Sequence, residues 1–322
     1  MLRPLKDQAL VQPNLFVIGA MKAGTTALYN YLACHPSIYM SPVKEPNFFS
    51  DDLWSISQHI ASGSVALVER AKRHLTHNAL ITDEAVYRSL YPNERDGYIY
   101  FGEASPSYLR SESAALRIRN QSPDAKIIAI LRDPIDRLWS HYLMERNEAR
   151  APDDFVELVD LELEAFKAGR RTQHGFLESS LYYSCLRRYV DAFGEQRVLV
   201  LDQADLRDST VTLAMLARFL AIDGSEFAIG AETANPTTAA RFPVLNRVLA
   251  ASGVKQAIRR IVPQSLISRF KPLYYGASAP SSTMPYEARE RLRRFYSADV
   301  AELAALLGVR APSWTDAYRD LL

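Results

Sequence analysis

Short apolar runs alternate along the chain with stretches whose apolar residues recur every three or four positions. The runs Leu15–Gly19, Ile99–Gly102, Lys126–Leu131 and Arg197–Leu201 read as strands. Ile127-Ile128-Ala129-Ile130-Leu131 is apolar without interruption, the pattern of a strand covered on both faces. The periodic stretches predict helices over Thr25–Cys34, Tyr108–Asn120, Ile135–Glu148, Asp154–Ala168, Leu181–Phe193, Val211–Leu220 and about Glu287–Leu307. The last sets Leu292, Tyr296, Leu303 and Leu307 on one packing face. Such alternation predicts crossover units, hence an α/β fold of three layers with a central, mostly parallel sheet flanked by helices. One domain is expected over 1–322, with its core at about 14–314. Residues 51–98, rich in His, Tyr and Asn, read as an insertion over one edge, and 235–285 as a lid-like segment.

Charge adds one feature. The formal net charge of 322 residues is +1, which argues against a nucleic-acid polymer as partner. Thr233–Tyr286, however, has no Asp or Glu and holds Arg241, Arg247, Lys255, Arg259, Arg260, Arg269 and Lys271. The other 31 basic residues (38 less those seven) face 37 acidic ones, so this one segment is a basic patch. Over 241–271 it suits a solvated lid above a nucleotide, a hold on an anionic acceptor, or peripheral contact with an anionic membrane surface. Two cysteines, Cys34 and Cys185, form no disulfide framework and no metal-ligand spacing. The opening MLRPLKDQALVQPN lacks an apolar signal core, and no run reaches membrane-spanning length. A soluble, cytoplasmic protein is expected.

The chemistry concentrates where strand patterns end. After Leu15-Phe16-Val17-Ile18 comes Gly19-Ala20-Met21-Lys22-Ala23-Gly24-Thr25-Thr26, a P-loop-like turn. A triphosphatase loop places lysine beside its second glycine. Here that slot holds Thr25, and the lysine sits earlier, at Lys22. The turn can still aim backbone N–H groups at a phosphate. A second such place is Ile130-Leu131-Arg132-Asp133-Pro134, where arginine ends a strand and Asp133-Pro134 caps and starts a helix. Arg132 suits a phosphate at the carboxyl end of a sheet, or an ion pair with Asp133 or Asp136. Two more segments stand out: Lys44-Glu45-Pro46-Asn47-Phe48-Phe49 and Gly102-Glu103-Ala104-Ser105-Pro106-Ser107-Tyr108.

Together these motifs resemble the family of sulfotransferases that use PAPS (3′-phosphoadenylyl sulfate), most nearly its heparan-sulfate-type and bacterial members. The resemblance covers about Asn14–Trp314, with gaps at 51–98 and 245–285. It implies a P-loop-like fold and an enzyme that moves a sulfuryl group from PAPS, leaving PAP, without a metal. It implies that Lys22, Ala23, Gly24, Thr25 and Thr26 bind the 5′-phosphosulfate and that Lys22 stabilises the leaving phosphate. Arg132, with Ser140 eight residues later, would hold the 3′-phosphate, and Glu45, three residues before Phe48, would be the general base. Arg241 lies at the place of a loop that closes over the nucleotide in those enzymes. Glu103 would orient Lys22 or bind acceptor; a helix cap and internal ion pair reads equally well. Tyr182 would line the site or pack in the core. Trp54, Tyr87, Tyr91 and Tyr98 would form the acceptor wall or pack on the core. The acceptor is expected to be a hydroxyl, or an amine, of a carbohydrate, lipid or small molecule. Two alternatives stay open on the residues: a P-loop kinase using ATP and Mg²⁺, with Asp202 at a strand end as its acidic ligand, and a non-catalytic nucleotide-binding module.

Overall fold

In the computed structural model the chain is described at residues 11–53, 76–77, 79–148, 150–170, 172, 174–227, 239–240, 275–276 and 283–321. Trp54, Arg241 and most of the basic segment lie outside these residues. The chain divides into two compact units. One holds Met1–Arg132, Tyr182–Glu232 and Glu302–Thr315; the other holds Asp133–Leu181, Thr233–Ala301 and Asp316–Leu322.

The first unit is built on a parallel five-stranded sheet. Its strands are β1 (Leu15–Gly19), β2 (Ile38–Met40), β5 (Tyr100–Ala104), β6 (Lys126–Leu131) and β7 (Val198–Asp202). They lie in the order β2-β5-β1-β6-β7. Between them in sequence, β3 (Val43–Lys44) and β4 (Thr76–His77) make a separate parallel pair. Leu15 through Ile18 and Ile127 through Leu131 are fully buried, as strands inside a covered parallel sheet require. The helices of this unit are α1 (Thr25–Ala33), α2 (Glu84–Arg88), α3 (Ser107–Arg110), α4 (Ala114–Gln121), α7 (Tyr182–Phe193) and α8 (Ser209–Leu220). The flanked parallel sheet is the architecture expected from the sequence, and β1 and β6 have the expected bounds.

Three details differ. The helix expected over Tyr108–Asn120 is two helices, broken at Ser111, whose backbone is extended (φ −60°, ψ 133°). Asp52 forces the break: its carboxylate accepts bonds from the Ser111 and Ser113 hydroxyls and the Glu112 N–H. The edge strand β2 is a three-residue piece with no expectation behind it. The 51–98 stretch is partly core, because α2, capped by Asp83, buries Tyr87 completely and leaves Tyr91 only 5% exposed.

The second unit holds α5 (Pro134–Asn147), α6 (Phe155–Lys167) and the start of α9 (Tyr286–Leu307). Asp133 caps α5 by accepting the N–H groups of Ile135 and Asp136, with Pro134 at the first helical position. The fully buried Arg137 donates to the Phe176 carbonyl at 2.6 Å and to the Ser180 hydroxyl. Of the expected packing face of α9, Leu292, Tyr296, Leu303 and Leu307 are all buried.

Candidate active site

All five sheet strands run parallel, so β5, β1, β6 and β7 end on one edge of the sheet. That is the edge where open α/β sheets receive ligands. At the end of β1 the register with β6 slips between Val17 and Gly19, and the Ala20 N–H bonds to the Ile130 carbonyl at 2.6 Å. The slip turns the chain out of the sheet into the loop at 20–24. Lys22 (φ 69°) and Gly24 (φ 105°) both take left-handed backbone there. A β-carbon on Gly24 would meet Cδ1 of Leu206, the movable end of a side chain, so it is the left-handed backbone that favours glycine here.

Helix α1 then starts without a side-chain cap and without an acidic residue in its first turn. The first N–H groups of a helix have no partner inside it. With the positive end of the helix dipole behind them, they form a receptacle for an anion. Thr25 is buried in that turn, while Lys22 and Thr26 are half-buried.

Arg132 follows β6 directly. Its guanidinium donates to the Lys22 carbonyl at 3.3 Å, and its own carbonyl accepts the Tyr182 hydroxyl at 3.0 Å. The ion-pair alternative for Arg132 is not what forms. Asp133 is engaged by backbone N–H groups and by the Tyr318 hydroxyl at 3.0 Å, and Asp136 pairs with Arg289 at 2.6 Å. Tyr182 is fully buried, so it steadies Arg132 from inside the core rather than lining a site. Ser140 is half-buried on α5, in the second unit.

Glu45 stands beside the end of β5, where its N–H donates to the Ala104 carbonyl at 2.9 Å. Both Glu45 (φ 65°) and Asn47 (φ 56°) hold left-handed backbone, an unfavourable state for non-glycine residues that survives only where surroundings impose it. The surroundings do so. Asn47 Nδ2 donates to the carbonyls of Glu45 (2.8 Å) and Ala79 (2.9 Å), and its Oδ1 accepts the Ser107 hydroxyl at 2.6 Å. The Lys44 ammonium lies 2.5 Å from Glu45 Oε1 on a side chain with no exposed surface, whereas the Glu45 side chain is 28% exposed. A buried cation thus fixes a partly exposed carboxylate. Lys44 and Asn47 stand in the motif that the sequence singles out, but nothing in the pattern assigns them the hold on Glu45.

Glu103 caps no helix and has no ion-pair partner among the described residues. It is fully buried on β5, and hydroxyls surround it: Tyr87 at 2.5 Å and Tyr108 at 2.9 Å on Oε1, Ser105 at 2.7 Å on Oε2. Burial pushes its carboxyl up to about 7, partly opposed by the bonds from Tyr87, Ser105 and Tyr108. Burial likewise raises the Tyr87 and Tyr108 hydroxyls well above the usual tyrosine range, with the Glu103 charge adding to it.

Asp202, the candidate acidic ligand of a kinase, is committed elsewhere. Its Oδ1 accepts the Ala204 N–H at 3.0 Å, and its Oδ2 accepts the Ser313 N–H and hydroxyl at 3.2 and 2.9 Å. It caps the turn after β7 and fastens the segment that follows α9.

Comparison with known proteins gives the site a context. A model described as the sulfotransferase family matches residues 13–226. Carbohydrate sulfotransferase 15 of Homo sapiens is 29% identical over 180 residues, covering 48% of this chain and 31% of that protein. Membrane-associated sulfotransferase kil1 of Dictyostelium discoideum is 30% identical over 139 residues, 43% of this chain and 24% of that protein. Among solved structures, a sulfotransferase from Alicyclobacillus acidocaldarius aligns over 96% of this chain and 99% of its own, with a TM-score of 0.64 and 26% identity. The match spans less than a third of either curated relative. One expectation is overturned: a relative named as membrane-associated points away from a cytoplasmic location. Among the described residues no helix is long and apolar enough to cross a membrane.

Proposed function

The chain belongs to the sulfotransferase family, and we propose that it transfers the sulfuryl group of PAPS to a hydroxyl, or an amine, of a carbohydrate acceptor. The observation that carries this reading is the bond from Arg132 to the Lys22 carbonyl, which ties the guanidinium to the loop backbone at the sheet edge beside an uncapped helix start. The carbohydrate class rests on the name of one relative.

The residues fit the nucleotide. Glycine at 24 lets the backbone bend tightly, and the open N–H groups of α1 with the Thr25 and Thr26 hydroxyls can hold a 5′-phosphate. PAPS supplies an activated sulfuryl group with phosphate as the leaving group. A transferring sulfuryl group carries one negative charge, so the main electrostatic task is to stabilise the departing phosphate. Lys22 and the helix dipole do this in our reading. Ala23 contributes its place in the loop. Arg132 holds the 3′-phosphate. Glu45 takes the proton from the acceptor through the carboxylate that Lys44 holds in place.

Thermal unfolding with PAP, and separately with ATP and Mg²⁺, tests the reading. PAP at about a hundred times its Kd should add about 2.7 kcal/mol and raise Tm. Stabilisation by ATP–Mg²⁺ and none by PAP would end it. Radiolabelled PAPS, incubated with a panel of mono- and oligosaccharides, should place label on a sugar.

A further inference from the structure

We propose that Glu103 is a positioning residue for Glu45, acting through the hydroxyls of Ser105 and Tyr108 on the loop at 45–49. The proposal rests on the reading of Glu45 as base, and its geometry is independent of the nucleotide.

A carboxylate can only accept hydrogen bonds, so it dictates the direction of every hydroxyl that meets it. Ser105 gives its proton to Glu103 Oε2, which leaves its oxygen as acceptor for the Asn47 N–H at 3.2 Å. Tyr108 gives its proton to Oε1, and its oxygen accepts the Phe49 N–H at 3.4 Å. Tyr87, the third donor, stacks on Phe48 with ring centroids 4.1 Å apart and planes within 7°. Three successive residues after Pro46 are therefore gripped by groups that Glu103 orients. Asn47 in turn binds the Glu45 carbonyl, and Glu45 and Asn47 are the two left-handed residues of the loop. This buried carboxylate works as the keystone of a loop whose exposed carboxylate does the chemistry.

Among the described residues the polar groups facing Glu103 are hydroxyls: Tyr87, which also meets the Tyr91 hydroxyl at 3.5 Å, Ser105 and Tyr108. The Tyr189 hydroxyl donates to the Tyr108 carbonyl at 2.8 Å. A protonated Glu103 donates at one of its oxygens instead of accepting; where it donates to Ser105 or Tyr108, that hydroxyl turns away and the hold on Asn47 or Phe49 weakens. Transfer should then fall as Glu103 takes up its proton, near pH 7.

A double-mutant cycle tests this, with label transferred from PAPS to the most active sugar of the panel as readout. Glu103→Gln should lower kcat about 10- to 100-fold, the scale of a misplaced catalytic group. It should leave the Kd for PAP within about twofold and remove the fall in kcat near pH 7. In the Glu45→Gln background the same substitution should have almost no effect, since residues that act as a unit are not additive. Hydrogen exchange should quicken at the Asn47 and Phe49 amides and stay unchanged at the loop of Lys22. If Glu103→Gln does not fold, Ser105→Ala and Tyr108→Phe carry the test. Each should give a smaller loss in the same direction, again absent beside Glu45→Gln. Wild-type kcat in Glu103→Gln, or an equal factor of loss with and without Glu45, overturns the proposal. Wild-type kcat in Glu45→Gln alone would overturn the base beneath it, a failure visible before the cycle is closed.

Discussion

The ends of β1 and β5 lie side by side in the sheet and treat polar groups in opposite ways. After β1, the start of α1 has no side-chain cap, and Lys22 and Gly24 in its loop hold left-handed backbone. At the end of β5, Glu103 takes three hydroxyl donors, and Asn47 donates its N–H to Ser105 and accepts the Ser107 hydroxyl. The first end leaves its helix start without a side-chain cap. The second uses its donors internally to hold a single carboxylate, Glu45, at the surface. Binding and proton transfer place different demands on a protein: one needs unsatisfied groups, and the other needs one group that cannot move.

Three measurements would break or sharpen this contrast. The largest effect belongs to the fixed carboxylate. Glu45→Gln should reduce kcat by roughly 10²- to 10⁴-fold while PAP still binds, the range of a lost general base. Loss of PAP binding instead would mean that the two ends do not divide the work. Next comes the open end. Arg132→Ala should weaken PAP by about 10- to 100-fold, the worth of a charged hydrogen-bonding group. Adenosine 5′-phosphosulfate, which lacks the 3′-phosphate, should be weakened far less, and titration calorimetry with both nucleotides would show it. Equal weakening would remove Arg132 from the 3′-phosphate.

The smallest effect is on stability. Glu103 ionises at about 7 in the folded protein against 4.5 when exposed, so between those values the folded state holds the extra proton. Its contribution is fully present below pH 4.5, declines as pH rises, and is lost above about 7. The slope is about 1.4 kcal/mol per pH unit at most. Denaturant unfolding of wild type and Glu103→Gln across this window should differ in slope by up to that amount. Parallel curves would show that Glu103 does not titrate there. Stability thus favours the protonated acid, whereas the grip on the Glu45 loop calls for the carboxylate.

Much of the binding end was legible because it is local. Strand, loop and helix are contiguous from Leu15 to Ala33, and displaced Lys22 sits within the same few residues. The Asp133-Pro134 cap was readable for the same reason. The catalytic end was legible only as a short motif around Glu45. What fixes it comes from afar: Ser105 and Ser107 from the end of β5, Tyr87 from α2, and Ala79 from a stretch with no periodic signal. The break at Ser111 has the same origin, a carboxylate 59 residues earlier in the chain. Propensity and periodicity report on neighbours in sequence, so contacts of this kind leave no trace in them.

The clasp between Asp202 and Ser313 has a consequence for the tail of the molecule. Asp202 ends a strand on the same sheet edge as Arg132 and the loop of Lys22, all of which are suited to anions. A bare carboxylate there would repel the ligand that the rest of the edge attracts. By donating both its N–H and its hydroxyl, Ser313 blunts that charge and draws it away from the open side. The last residues of this unit therefore temper the charge at the end of β7 from a distance of more than a hundred residues in the chain.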